Sequence, residues 1–143
     1  MRHEKVERRS SILLYLYSEP CYILQILVSG DETGLINIWC LKHGQLQILN
    51  TIEPGSDRFP VTTLCLYNKI QKEGVLIAGF GNGMIRMYAL LSGELMADVT
   101  AHAGWITGMD LANKTGRLLT SAEDGYVRVR SSSKFPNKLE RKY

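Results

Sequence analysis

The chain has 143 residues, 45% of them hydrophobic and 22% charged, with a formal net charge of +3. That composition fits one folded domain of ordinary size and excludes low-complexity and collagen-like chains. The positive charge lies at the ends, since residues 1–10 carry +2 and residues 134–143 carry +3, leaving −2 on residues 11–133. A nucleic-acid surface would put it on the folded face, so nucleic acid is not an expected partner.

Taken in chain order, the pattern predicts strands separated by turns. Ile12–Tyr17 and Tyr22–Ser29 are apolar but interrupted by Ser18, Glu19, Pro20 and Gln25. The longest clean run there, Ile12–Tyr17, is six residues, too short for a membrane span and short for a signal-peptide core. A turn over Gly30–Gly34 leads into a strand at Leu35–Leu41. His43-Gly44 then turns into Leu46–Thr51. Val61–Tyr67 opens a second set, followed by Val75–Ala78, a turn through Gly79, Gly81, Asn82 and Gly83, and Met84–Leu90. Ser92-Gly93 turns into Leu95–Val99. A third set comprises Trp105–Leu111, Arg117–Ser121, a turn over Ala122–Gly125, and Tyr126–Arg130. No helix of ten or more residues is expected.

These sets repeat. SGDETGLINIWC (Ser29–Cys40), AGFGNGMIRMYA (Ala78–Ala89) and TSAEDGYVRVRS (Thr120–Ser131) align on Gly34, Gly83 and Gly125, which are 49 and 42 residues apart. A period of that length in a β-patterned chain signals propeller blades or a similar stacked array. Thr33-Gly34, Asn82-Gly83 and Asp124-Gly125 occupy one turn position, where glycine accepts a positive φ without a Cβ clash. After each turn, Ile36 and Ile38, Ile85 and Met87, and Val127 and Val129 alternate onto one face. Asn37, Arg86 and Arg128 take the other, followed there by Trp39, Tyr88 and Arg130.

The expected fold is all-β: about three consecutive four-stranded antiparallel blades over residues 12–53, 54–100 and 101–133, the third incomplete. Charged tails at 1–11 and 134–143 flank them. The three cysteines, Cys21, Cys40 and Cys65, form no Cys-x-x-Cys pair and fit reduced, buried thiols in a cytoplasmic protein. The histidines His3, His43 and His102 supply no tight ligand pair, so no metal site is expected, and no cofactor. Gly79-x-Gly81-x-Gly83 lacks the spacing and the following helix of a dinucleotide loop.

The repeated segments resemble WD repeats. In that family a small residue ends the second strand. An Asp-Gly-like turn, alternating aliphatics and a Trp follow, and a Gly-His-like pair precedes the next blade. Here the Trp position holds Trp39, Tyr88 and Arg130, and the pair before the third blade is Ala101-His102. Ala78–Leu95, Ala101–Ala112 and Gly116–Val129 resemble one member of the family in particular. The resemblance implies structural roles for Gly34, Trp39, Gly83, Tyr88, His102, Thr120, Asp124 and Gly125. It also implies a buried His–Asp–Ser/Thr–Trp network, of which only the third copy keeps His102, Asp124 and Thr120 or Ser121, with Arg130 in place of Trp.

A partial WD40-type propeller implies a non-enzymatic scaffold for other proteins or peptides. Closed rings usually need 4–8 blades. Three blades therefore suggest a piece of a longer propeller, with exposed faces carrying residues such as Ile36, Ile38, Val127 and Val129. The alternative is an assembly subunit whose open blade edges pair with another chain, with possible self-association. Arg58, Phe59, Phe80, Trp105 and Glu123 are the candidate contacts, because inter-blade loops and hairpin turns share one end of a propeller and Arg and aromatic side chains dominate interface hot spots. Asp31, Glu32 and Asp124 add acidic character there. Ser121, His102 and Asp124 read as a hydrolytic triad is the enzymatic alternative, without an oxyanion-hole signature. A ubiquitin-ligase adaptor motif is not met by Trp39-Cys40-Leu41-Lys42.

Overall fold

The computed structural model describes residues 11–19, 22–67 and 74–131. All regular structure among them is β-strand, in three antiparallel sheets. The first runs β1 (Ser11–Glu19), β2 (Tyr22–Gly30), β3 (Ile36–Lys42), β4 (Gln45–Ile52). The second runs β5 (Val61–Tyr67), β6 (Val75–Phe80), β7 (Met84–Ala89), β8 (Leu95–Thr100). The third has β9 (Ile106–Ala112), β10 (Arg117–Ala122) and β11 (Val127–Ser131), with no fourth strand among the described residues. This is a partial propeller, with two four-stranded blades and a third that has three strands among the described residues. The turn dipeptides and the period-two alternation place every strand within two residues of the ends expected from sequence.

The sheets stack face to face, and strand alternation decides which residues fill each interface. Between the first and second sheets lie Ile26, Val28, Ile36 and Ile38 against Leu66, Leu76, Ala78, Phe80, Tyr88 and Leu90. The other face of the second sheet presents Cys65, Tyr67, Val75, Ile77, Ile85 and Met87 to Ile106, Leu111 and Leu118 of the third. The second sheet is thus buried on both sides, which is why β6 is buried along its whole length. Close approach is built in at Gly30, where Val61 of the following sheet lies in the space a Cβ would take, and at Gly79, where a Cβ would meet Thr63 at 2.8 Å and Ile106 of the following sheet at 3.2 Å.

Two expectations are corrected. Ile36 and Ile38 do not line an open face, because the second sheet covers them completely. Of the aliphatics that follow each turn, only Val127 and Val129 are open, at 65% and 62% exposure, because among the described residues no further sheet packs on the third. Trp105 does not begin a strand: β9 starts at Ile106. The expectations for residues 1–10 and 132–143, and for Cys21, fall outside the described residues.

Candidate functional site

All three hairpin turns and both inter-blade loops meet at one end of the stack. Gly34, Gly83 and Gly125 have φ of +88°, +83° and +81°, so the same turn geometry recurs three times. The turns are stitched to the loops: those of the first and second blades to the loop that leads into the next blade, and those of the second and third also to the loop that leads into their own. In the first blade, Val61 N donates to Asp31 O at 2.9 Å, and Phe59 O lies 2.7 Å from where a Gly34 Cβ would sit. In the second, Gly81 N donates to Pro60 O at 3.0 Å, and Ala101 N and His102 N both donate to Gly83 O at 3.0 Å. In the third, Glu123 N donates to Trp105 O at 2.9 Å.

The loop ahead of the third blade carries a buried polar clasp. The His102 ring puts Nδ1 at 3.1 and 3.0 Å from the two Asp124 carboxylate oxygens, and Nε2 at 2.8 Å from Thr120 Oγ1. A carboxylate only accepts, so Nδ1 carries a proton towards it. The same carboxylate accepts from Ala103 N and Tyr126 N, both at 3.1 Å. Burial acts to raise the Asp124 pKa, but the hydrogen bonds from Ala103, Tyr126 and His102 outweigh it and hold the group below its ordinary value. Asp31 behaves alike: burial is opposed by the Thr33 hydroxyl and the backbone amides of Thr33, Leu35 and Gly34, and its pKa is lowered.

The structure chooses Thr120 over Ser121 for this clasp. Neighbouring strand residues point to opposite faces, so Thr120 meets His102 while Ser121 Oγ lies 3.1 Å from Thr107 Oγ1. Ser121, His102 and Asp124 therefore do not assemble as a triad. The first blade keeps the complementary half of the network, with Trp39 Nε1 donating to Ser29 Oγ at 3.0 Å. That pair was not foreseen from sequence, although Ser29 and Thr120 occupy equivalent repeat positions.

The candidate contact residues divide. Arg58, Glu123 and Phe59 are exposed, Phe59 at 38%. Trp105 is half-buried, with its ring edge 2.9 Å from where a Gly81 Cβ would lie, so it packs the loop onto the second blade. Phe80 is corrected outright: it is 3% exposed, belongs to the core between the first two sheets, and has the Arg86 guanidinium 5.0 Å from its ring centroid. The last residue of β6 faces inward by strand alternation, and its place beside a turn concealed that. Of the structural residues, Tyr88 is buried against the first sheet and Trp39 is half-buried. No group of three or more His, Cys, Asp or Glu side chains that could hold a metal ion occurs among the described residues. No helix there is long and apolar enough to cross a membrane.

Comparison with known proteins places this geometry. The family model WDR54 matches residues 18–140. WD repeat-containing protein 54 of Homo sapiens is 33% identical over 110 residues, which is 77% of this chain and 30% of that protein. It is the family member to which the sequence resemblance pointed. Among solved structures, a chain of the Chaetomium thermophilum Polycomb Repressive Complex 2 bound to GSK126 superposes with a TM-score of 0.71 at 16% identity. That match covers 92% of this chain and 30% of the other. The computationally designed Ika4 protein superposes with a TM-score of 0.57 at 24% identity, covering 81% of this chain and 63% of that one. These likenesses establish the fold. The chain spans about a third of the length of the curated relatives it matches.

Proposed function

Since the chain belongs to the WDR54 family, we propose that it acts as a non-enzymatic protein-interaction scaffold whose loop end holds a partner protein or peptide, as part of a longer propeller. The observation that carries this reading is the gathering of three turns and two loops at one end. Backbone hydrogen bonds fix them there while Arg58, Phe59 and Glu123 remain exposed. A rigid platform loses little entropy on binding, and an exposed Arg–Phe pair is the side-chain type that anchors interfaces. A binding role also fits the saturated state of His102, whose two ring nitrogens are engaged by Asp124 and Thr120 away from solvent. The thiols of Cys40 and Cys65 are free and buried, which suits work in a reducing compartment such as the cytoplasm.

The test is affinity capture with tagged chain, comparing the parent with an Arg58→Glu, Phe59→Ala variant. Both residues are exposed, so the fold should survive, which circular dichroism checks. Loss of captured partners by about tenfold or more is expected for hot-spot residues. An undiminished partner set would refute the assignment.

A second reading is self-association through open blade faces. Leu46 and Ile48 on the first sheet and Val127 and Val129 on the third are all more than half exposed, and exposed apolar patches mark interfaces. A monomer by light scattering at high micromolar concentration would count against it.

A further inference from the structure

The joint between the first two blades carries a polar tie outside the apolar core. In β4, Asn50 stands opposite Ile38 and Ile48 opposite Trp39, so Leu49 is an extra residue in the ladder. A bulge of this kind increases the local twist and re-aims the side chain beside it. Asn50 reaches the second blade: its Nδ2 donates to Leu91 O at 3.1 Å and to Ser92 O at 2.8 Å, 41 and 42 residues further on. Its Oδ1 accepts from Thr51 N at 2.8 Å.

A side-chain amide matches all three groups. Two carbonyls need two donor hydrogens and the Thr51 amide needs an acceptor. One planar amide supplies both, which also fixes its orientation. Aspartate would set a carboxylate against two carbonyls, and alanine would supply nothing. The Leu91 and Ser92 carbonyls lie beyond the β7–β8 ladder, which closes at the Tyr88–Leu95 pair, so strand pairing makes no use of them. The turn also fits the side chain closely. Gly93 has a φ of +69°, and a Cβ there would lie 2.9 Å from Asn50 Nδ2 and 3.1 Å from Ile52 Cγ1.

The tie sits at the root of a loop. β4 ends at Ile52, two residues after Asn50, and loop 53–60, which carries Arg58 and Phe59, leaves from there. The far end of that loop is held by backbone bonds, Val61 N to Asp31 O and Gly81 N to Pro60 O. The near end has Asn50. The same bulge recurs between Met87 and Tyr88 of the second blade, and it puts Ala97 where β4 has Asn50. Ala97 has no side-chain donor, so the tie belongs to this joint and not to the repeat.

We propose that Asn50 is a latch between blades. It pins the β7–β8 turn of the second blade to the exit of β4, and so sets from the rim of the stack where loop 53–60 begins. Releasing it frees the loop root and the turn together while both sheets keep their ladders. The claim concerns the position of the loop and holds whether or not that loop binds a partner.

The test compares the full chain with its Asn50→Asp and Asn50→Ala variants. Hydrogen exchange reads the latch, through the amides of Thr51 and of Gly93, which donates to Ala89 O. Trypsin reads the loop, through cleavage after Arg58 relative to cleavage after Lys114, which is exposed on the β9–β10 turn. Loss of two hydrogen bonds should speed exchange at Thr51 and Gly93 by about tenfold or more and raise the Arg58-to-Lys114 cleavage ratio, with Leu76 and Ile77 in β6 unchanged. Asn50→Asp should exceed Asn50→Ala, since it adds repulsion to the loss of donors. Asn50→Ala keeps the test decisive if the aspartate variant does not fold. Exchange that rises equally in β6, an unchanged cleavage ratio, or no response at Gly93 overturns the proposal. So do equal effects of the two substitutions, which would assign the joint to packing instead of to the amide.

Discussion

His102 joins the third blade to the loop that precedes it, with Asp124 on one ring nitrogen and Thr120 on the other. Removing one partner strands the rest in a buried site, so Thr120→Val should cost about 1–3 kcal/mol in urea unfolding. Ser121→Ala should stay within about 0.5 kcal/mol, because Ser121 Oγ meets an exposed Thr107 hydroxyl and makes only a long, 3.5 Å bond to Gly108 O. Equal losses would show that the clasp is not the stabilising element. The lowered pKa of Asp124 gives a pH signature. A carboxylate with a depressed folded-state pKa contributes its full stability above the unfolded value, near pH 3.9, and loses it as pH falls through the folded value. The unfolding midpoint should therefore drop below about pH 4, and Asp124→Asn should flatten that drop. The Cys65 thiol is pushed up to about 12 by burial and by nearby Asp110, so it should resist iodoacetamide at neutral pH until the chain unfolds. At this scale the sequence was half legible. His102 and Asp124 announce themselves by repeat position, but adjacent Thr120 and Ser121 are distinguished only by which face meets the neighbouring sheet.

The hairpin turn is the element that repeats most faithfully, and its three glycines test how neighbouring blades lock together. Gly83 and Gly125 share a φ near +80°, yet their surroundings differ. A Cβ on Gly83 would run into the His102 carbonyl and lie 2.9 Å from Gly104 O, whereas nothing lies within 4 Å at Gly125, a turn that no loop crosses among the described residues. Asparagine tolerates the left-handed region, so Gly125→Asn should cost no more than about 1 kcal/mol. Gly83→Asn should cost several times more, by thermal or urea unfolding, because backbone rather than a flexible side chain blocks it. Similar losses would mean the turns are not clamped by the following loop. Strand positions were readable because turn dipeptides punctuate period-two runs. Trp105 and Phe80 were misplaced for one reason: bulky residues at strand ends can face either way, and only the packed neighbour decides.

Across the whole molecule, the fate of a side chain depends on whether its sheet has company. Ile85 and Val127 occupy the same repeat position, and one is 1% exposed while the other is 65% exposed. Ile85→Thr should therefore destabilise by about 2 kcal/mol or more, and Val127→Thr by less than about 0.5 kcal/mol. The alternation of aliphatics put all of these residues on one face, but a strand's sequence does not state whether another sheet follows. The central claim is that the loop end holds a partner. Site-specific photo-crosslinking measures it most directly, with a benzoylphenylalanine replacing Phe59 at that end or Leu46 on the outer strand of the first blade. Adducts to a partner protein from position 59, absent from position 46, are expected; adducts from position 46 alone would contradict the account.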